Sequence, residues 1–505
     1  MRIKNVLQYL ECTAARLSDK VAFSDGEGGE SLTFAGLVDH SKRIGSALIE
    51  RKLSGKRVAL LMDRHPAAVA VMLGVLYAGG VYVPLDSAMP DDRIRRILAS
   101  CRAAAIVCDE KNEARAKAYG LPAMQAELLL DGAINKEALD RVRARQIDTD
   151  PAYIIFTSGS TGEPKGVVGC HRAVIDYGEA LMPALSMDEG AVLGCQSPLY
   201  FDAPFKEILA TLMLGATTYL IPRALFSFPV PLLDYLNKHK INTICWVSSA
   251  LSAVATLGGL AACPPTTICR VVFGSEVLPM GHYHAWRKAL PDAAFYQLYG
   301  PTEATGMSCV WRADRELDAD ERIPIGMPLD NTDLILLGDT GERIVAIEGE
   351  ESEIGEMYLR GSCLTLGYDH NDEATSRAFV QHPLQDAYPE TVYRTGDLAR
   401  YNERGELVFI GRRDGQIKRM GHRIETAEIE HAALVCAGVD GAACLVTKKD
   451  ELVLAYIGSA AEGAVLDALR ARLPRYYLPA RVKQMAAFPR TANGKVDRRI
   501  LTEEL

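Results

Sequence analysis

Residues 153–166 read YIIFTSGSTGEPKG: four apolar residues, then ten that include three glycines, four hydroxyl side chains and one lysine. The apolar run fits a buried strand, and a glycine-rich loop leaving a strand's C-terminal end sits where ligands bind in open α/β sheets. Its glycines let the backbone approach an anion, its N–H and hydroxyl groups donate, and Lys165 supplies charge. The string departs from the GxxxxGK[ST] phosphate loop, because Glu163-Pro164 precedes the lysine and Gly166 follows it. Alone, it reads as a phosphate loop or as a surface turn.

The flanking sequence places that loop in an α/β fold. RVALLM (57–62), AAIVC (104–108), YIIF (153–156), TTYLI (217–221), TICWV (243–247) and RVVF (270–273) look like buried strands. Helix-period stretches such as DYLNKHK and HYHAWRKAL lie between several of them, the pattern of parallel sheets packed with helices. Beyond about residue 320, DLILLGDTGERI and GEMYLRG alternate apolar and polar residues around glycine turns, predicting a β subdomain. GRRDGQIKRMGHR (411–423) is a basic connection, and from about 424 helix and strand patterns predict a small α+β unit. The expected division is a large N-terminal domain, 1–413, and a small mobile C-terminal domain, 414–505.

Composition narrows the function classes. The chain has 505 residues, 48% hydrophobic and 24% charged, enough for a large core. A net charge of −9 argues against general nucleic-acid affinity. Twelve cysteines without a CxxC pair or zinc spacing fit buried thiols in a reduced, cytoplasmic compartment. Pro66 to Leu85 carries no formal charge, but Gly79-Gly80 and Pro84 divide it into a helix and a strand rather than a membrane span.

The loop has company. LYAGGVYVPLD (76–86), YFDAP (200–204), QLYGPTEAT (297–305), GEMYLRG (355–361), YRTGDL (393–398), GRRDGQIKRMGHRIETAEIE (411–430), LPRYYLP (473–479) and NGKVDR (493–498) follow in order. With TSGSTGEPKG they resemble, across nearly the whole chain, the motifs of the adenylate-forming superfamily of acyl-CoA synthetases, luciferases and amino-acid adenylation enzymes. FGSEVLP (273–279) is similar to the D-alanine–carrier protein ligases.

The resemblance implies activation of an amino acid by ATP with Mg²⁺, then transfer to the phosphopantetheine thiol of a carrier protein. ATP would be held by Thr157, Ser158, Gly159, Ser160, Thr161, Gly162, Lys165, Gly274, Ser275, Gln297, Tyr299, Gly300, Pro301, Thr302, Asp397, Phe409, Arg412 and Lys495. Within that set Tyr299 holds adenine, Asp397 the ribose with Arg412 assisting, and Lys495 bridges substrate carboxylate and nucleotide. Lys165, Glu303 and Lys495 form the catalytic set, and Asp414 is the hinge. On chemistry alone, Glu303 offers the hard oxygen that Mg²⁺ prefers, whereas Lys495 reads only as a tail lysine.

Asp202 matches the aspartate that pairs the α-ammonium group in amino-acid-activating relatives; its alternative is a helix N-cap. Ala203, Lys206, Cys245, Val271, Phe273, Leu298, Gly306 and Met307 would line the side-chain pocket. Lys206 stands out, since a buried ammonium needs a partner. An acidic substrate would supply one; so would Asp202, four residues earlier. Phe273 and Leu298 suit a small, alanine-like substrate instead. Pro204 replaces a common small hydroxyl residue, and Ala427 a commoner glycine. The chain's end ten residues after Lys495 leads us to expect a free-standing enzyme loading its carrier in trans. The competing readings are a carboxylate–CoA ligase and a non-catalytic relative.

Overall fold

In the computed structural model the chain divides into two compact units. The structure describes residues 3–26, 29–157, 164–318, 321–413, 417–419, 421–447, 451–489, 496 and 498–505, with backbone only at 418, 423 and 499.

The first unit holds 1–87, 101–155 and 167–411. Every strand expected from the apolar runs is present, and they fall into two sheets. One has nine strands, with a parallel centre in which Thr243–Val247 lies between Val192–Cys195 and Arg270–Gly274, and Ala294–Tyr299 follows. The other has six strands, with Arg57–Leu61 parallel to both Val81–Leu85 and Ala105–Cys108. Strands paired on both sides and covered on both faces must be apolar throughout, which is why they read as continuous runs.

The uncharged run resolves into a helix, Pro66–Tyr77, and the strand Val81–Leu85. His65 caps that helix and Pro66 opens it, where its missing N–H costs nothing. Among the described residues no helix is long and apolar enough to cross a membrane. The alternating segments beyond residue 320 build a third, antiparallel sheet in which Gly355–Gly361 lies between Thr332–Leu337 and Thr391–Tyr401. The α/β architecture and the β subdomain expected from sequence are thus both present.

The second unit holds 88–100, 156–166 and 412–505. Its core is a three-stranded sheet, Val439–Val446, Leu452–Gly458 and Arg481–Gln484, packed by the helices Thr426–Leu434 and Glu462–Arg472. The helix Asp91–Ser100 joins this unit through Arg93. Its guanidinium pairs with Glu428, both side chains at most 3% exposed, and lies 5.5 Å from the Tyr477 ring centroid.

Removing one member of a buried pair strands the other's charge, which costs about 3–5 kcal/mol. Glu428→Ala should therefore destabilise this unit by about that amount, read by urea unfolding with hydrogen exchange along 426–434. The double replacement Arg93→Met/Glu428→Leu should recover most of the loss. An unchanged midpoint in the single variant would contradict the assignment.

Candidate active site

The strand Ala294–Tyr299 ends in a sharp turn that carries much of the site. Gly300 begins it because a side chain there has no room. An added Cβ would lie 2.3 Å from the Gly306 carbonyl and 2.5 Å from the Met307 Cα. The chain then makes one 3-10 turn, Thr302–Ala304, and reverses through Thr305 (φ 60°) and Gly306 (φ 105°). Thr305 tolerates this left-handed conformation with its hydroxyl donating to the Cys363 carbonyl at 2.7 Å.

The turn aims Glu303 inward. Its side chain is fully buried, and Oε1 accepts from the Tyr368 hydroxyl at 2.6 Å. The Glu303 carbonyl accepts from both the backbone N–H and the hydroxyl of Thr365, each at 3.0 Å. At the start of the turn, the Tyr299 hydroxyl donates to Asp397 Oδ2 at 2.5 Å. The Thr395 hydroxyl positions Asp397 by accepting its backbone N–H at 3.0 Å while donating to the Met357 carbonyl at 2.7 Å. Phe409, half-buried, packs against the same apolar cluster as Tyr299. The structure thus joins Tyr299, Glu303, Asp397 and Phe409, and adds Tyr368 and Thr365, which no local pattern singles out.

Beside this turn lies a cavity of about 10 Å³. Ala203, Lys206, Cys245, Phe273, Leu298 and Met307 line it, as do Gly274 and Ser275, with Trp246, Val272 and Ser197 among the additional wall residues. Val271 and Gly306 are not in the lining; Val271 packs in the cluster of Ile244, Trp286 and Phe295. A Cβ on Gly306 would lie 3.9 Å from the Asp202 Cβ and 3.8 Å from the Tyr177 hydroxyl, so Asp202 and Gly306 are neighbours. Burial first, then the Asp202 carboxylate, push Tyr177 well above the usual phenol range.

Two local alternatives for this segment fall away. The helix begins at Phe205 with Pro204 at its cap and no side-chain cap bond, so Asp202 is not the N-cap. The Lys206 ammonium donates to the Ala203 carbonyl at 2.6 Å, one turn back along its own chain. Gln297 is buried beside Leu298, with Oε1 lacking a hydrogen-bond partner among the described residues.

The remaining expected residues belong to the second unit. Thr157 ends the strand Pro151–Thr157, buried; Lys165, half-buried, opens Lys165–Cys170; Arg412 ends Leu407–Arg412. Ser158, Gly159, Ser160, Thr161, Gly162, Asp414 and Lys495 lie outside the described residues.

The profile of the family described as AMP-binding enzyme matches residues 10–369. The chain belongs to that family. It is 32% identical to a linear gramicidin synthase protein of Brevibacillus parabrevis over 99% of this chain and 6% of that protein. It is 33% identical to a dimodular nonribosomal peptide synthase of Bacillus subtilis over 92% of this chain and 19% of that protein, so it spans only a small part of these relatives. A solved structure of holo-PA1221, a nonribosomal peptide synthetase protein containing adenylation and PCP domains, matches with TM-score 0.85 and 26% identity. That match covers 99% of this chain and 84% of PA1221. The chain is an adenylate-forming enzyme of the AMP-binding family.

One group in this AMP-binding enzyme was missed by motif reading. Glu207 is fully buried, and neither carboxylate oxygen has a hydrogen-bond partner among the described residues. The signal was present: FKEIL is a helix buried at every position, so an acid within it cannot reach water. Burial raises its pKa from 4.5 to about 7, against the opposing pull of Lys206 and Arg64.

The sign follows from linkage. Between pH 4.5 and about 7, Glu207 keeps its proton when folded and loses it when unfolded. Its contribution to stability therefore falls as pH rises through that window, by on the order of 3 kcal/mol. Glu207→Gln should remove this part of the slope in denaturant titrations at pH 5 and pH 8. A slope identical to wild type would contradict the burial of an ionisable group.

Proposed function

We propose that the chain activates an amino acid with a small side chain, forming aminoacyl-AMP and diphosphate from ATP, and then loads it onto a carrier protein. The observation that carries this reading is the placement of Asp202, beside Gly306 and next in sequence to Ala203, which with Phe273, Leu298 and Met307 lines the cavity. A carboxylate beside a small pocket suits an α-ammonium group with a short apolar neighbour. A volume of about 10 Å³ is roughly the room for one water, so little more than a methyl enters without movement of the walls.

In this reading the adenine lies against Tyr299, the ribose hydroxyls bond Asp397, and the α-ammonium pairs with Asp202. The carboxylate of the amino acid attacks the α-phosphorus and diphosphate leaves. Alignment of the reactants and neutralisation of phosphate charge, by Lys165 and Lys495 among others, supply most of the acceleration. Mg²⁺ fits the donor set. Among the described residues no cluster of three or more metal-binding side chains exists, and Mg²⁺ commonly takes one or two carboxylates plus phosphate oxygens and water. Glu303 would hold it, and when bound the ion offsets charge on the phosphates. Residues 414–505 act as the mobile domain hinged near Asp414, bringing and removing Lys495. The PCP-containing relative PA1221 supports a carrier-protein thiol as acceptor.

A second substrate class has an observation of its own. Lys206 is 5% exposed and lines the cavity, so a short acidic side chain would find a cation there. ATP–diphosphate exchange across the common amino acids, their D-forms, and aryl and fatty acids tests both. Exchange confined to small or short acidic amino acids is expected; exchange with aryl or fatty acids alone points to a carboxylate–CoA ligase and contradicts the proposal.

Two variants sharpen the test. Asp202→Ala should lower kcat/KM for the amino acid by roughly 30- to 150-fold, as loss of a charged hydrogen bond does, with the ATP KM nearly unchanged. Lys206→Met should scarcely affect a small neutral substrate but cost about 3–5 kcal/mol with an acidic one. Unaltered amino-acid kinetics in Asp202→Ala would remove the basis for amine recognition.

A further inference from the structure

Next in sequence to the cavity-lining Lys206 stands Glu207, neither of whose carboxylate oxygens has a hydrogen-bond partner among the described residues. It is 0% exposed, and a buried acid with neither oxygen hydrogen-bonded among the described residues is costly enough to require a reason. Ionisable groups on several surrounding elements are electrostatically coupled to it. Lys206 belongs to its own helix, and Arg64 precedes the helix Pro66–Tyr77. Cys195 ends the strand Val192–Cys195, Cys245 lies on Thr243–Val247, and Tyr177 on the helix His171–Ala184. Lys206 and Cys245, both electrostatically coupled to Glu207, form part of the cavity wall, and Glu207 itself does not line it.

The local charge balance is narrow. Arg64 is committed to backbone, donating to the carbonyls of Gln196, Ser197 and Ile221. Both thiols and the phenol are held neutral by burial. Lys206 is therefore the one nearby cation among these groups that can respond to an occupant. It can balance one carboxylate. A second negative charge in the same water-poor region would stand uncompensated, and the least costly relief is protonation of the acid already least stable as an anion.

We propose that Glu207 is a specificity-determining residue: an amino acid with an anionic side chain, admitted as the cavity walls shift, binds only with Glu207 protonated, which above neutral pH requires uptake of one proton from solvent, whereas a neutral side chain binds whether Glu207 is protonated or ionised. The proposal rests on the reading of this cavity as the side-chain pocket of an amino-acid-activating enzyme. Preference between charged and neutral side chains is then set by pH through a residue that touches neither substrate. Burial holds the Glu207 pKa at about 7, so the change falls within the working range of the enzyme.

The test is ATP–diphosphate exchange with L-aspartate and its uncharged isostere L-asparagine, from about pH 6 to pH 9. Ionisations common to the two amino acids, to ATP and to the rest of the enzyme cancel in the ratio of their kcat/KM values. In the wild type the aspartate-to-asparagine ratio should fall by up to tenfold per pH unit above an inflection near 7, the signature of one proton taken up. In Glu207→Gln the ratio should be independent of pH, whereas Glu207→Asp, which keeps a carboxylate, should retain a slope. A flat ratio in the wild type, the same slope in Glu207→Gln, or no aspartate exchange at pH 6 would each overturn the proposal. L-alanine run alongside separates the two levels of inference. Alanine exchange with failed aspartate predictions sinks the role of Glu207 alone; no exchange with any amino acid sinks the adenylation reading as well.

Discussion

The turn between Tyr299 and Gly306 governs the site in the first unit. It is tight enough that Gly300 admits no side chain, and it reverses through two consecutive residues with positive φ. Strain of that kind persists only where the surroundings over-determine it. Here they do: Thr305 is tied to Cys363, the Glu303 carbonyl to Thr365, and the Glu303 side chain to Tyr368. One short segment thereby fixes Tyr299 against Asp397, presents the buried Glu303, and sets Gly306 beside Asp202. The nucleotide-facing and substrate-facing parts proposed above are two sides of a single backbone reversal.

The second theme is charge held where water is scarce. Lys206 lines a cavity otherwise walled mostly by apolar and small groups, and it and Arg64 are electrostatically coupled to the buried Glu207. Such an arrangement offers little for stability alone, since a hydrophobic replacement of a buried polar group is often as stable. In the reading proposed above its consequence is selectivity, because a pocket with little room and one responsive cation would discriminate by charge as well as by size.

Much of this was legible in the sequence, and the reasons differ by element. The central strands announced themselves because burial on both faces demands continuous apolar runs, as in TICWV and RVVF. Pro66–Tyr77 and Val81–Leu85 were separable because Gly79-Gly80 interrupts any helix. The short strand Val21–Ser24, parallel to Thr217–Leu220, was invisible, since nothing local reveals a partner almost two hundred residues away. Tyr368 and Thr365 escaped notice for the same reason: their bonds to Glu303 exist only through tertiary folding. Asp202 offered a cap and a ligand reading that sequence alone left open, and the backbone at Pro204 and Phe205 excludes the cap. The Lys206–Asp202 pairing suggested by helix spacing gives way to a bond from Lys206 to the Ala203 carbonyl, because Asp202 precedes the helix rather than lying on it.

The most direct measurement is a crystal structure with a non-hydrolysable alanyl-adenylate analogue. The adenine should lie against Tyr299, the ribose hydroxyls on Asp397, the α-ammonium on Asp202, and the methyl group in the cavity beside Lys206. An analogue bound with its amino group away from Asp202, or with its ribose remote from Asp397, would contradict this assignment.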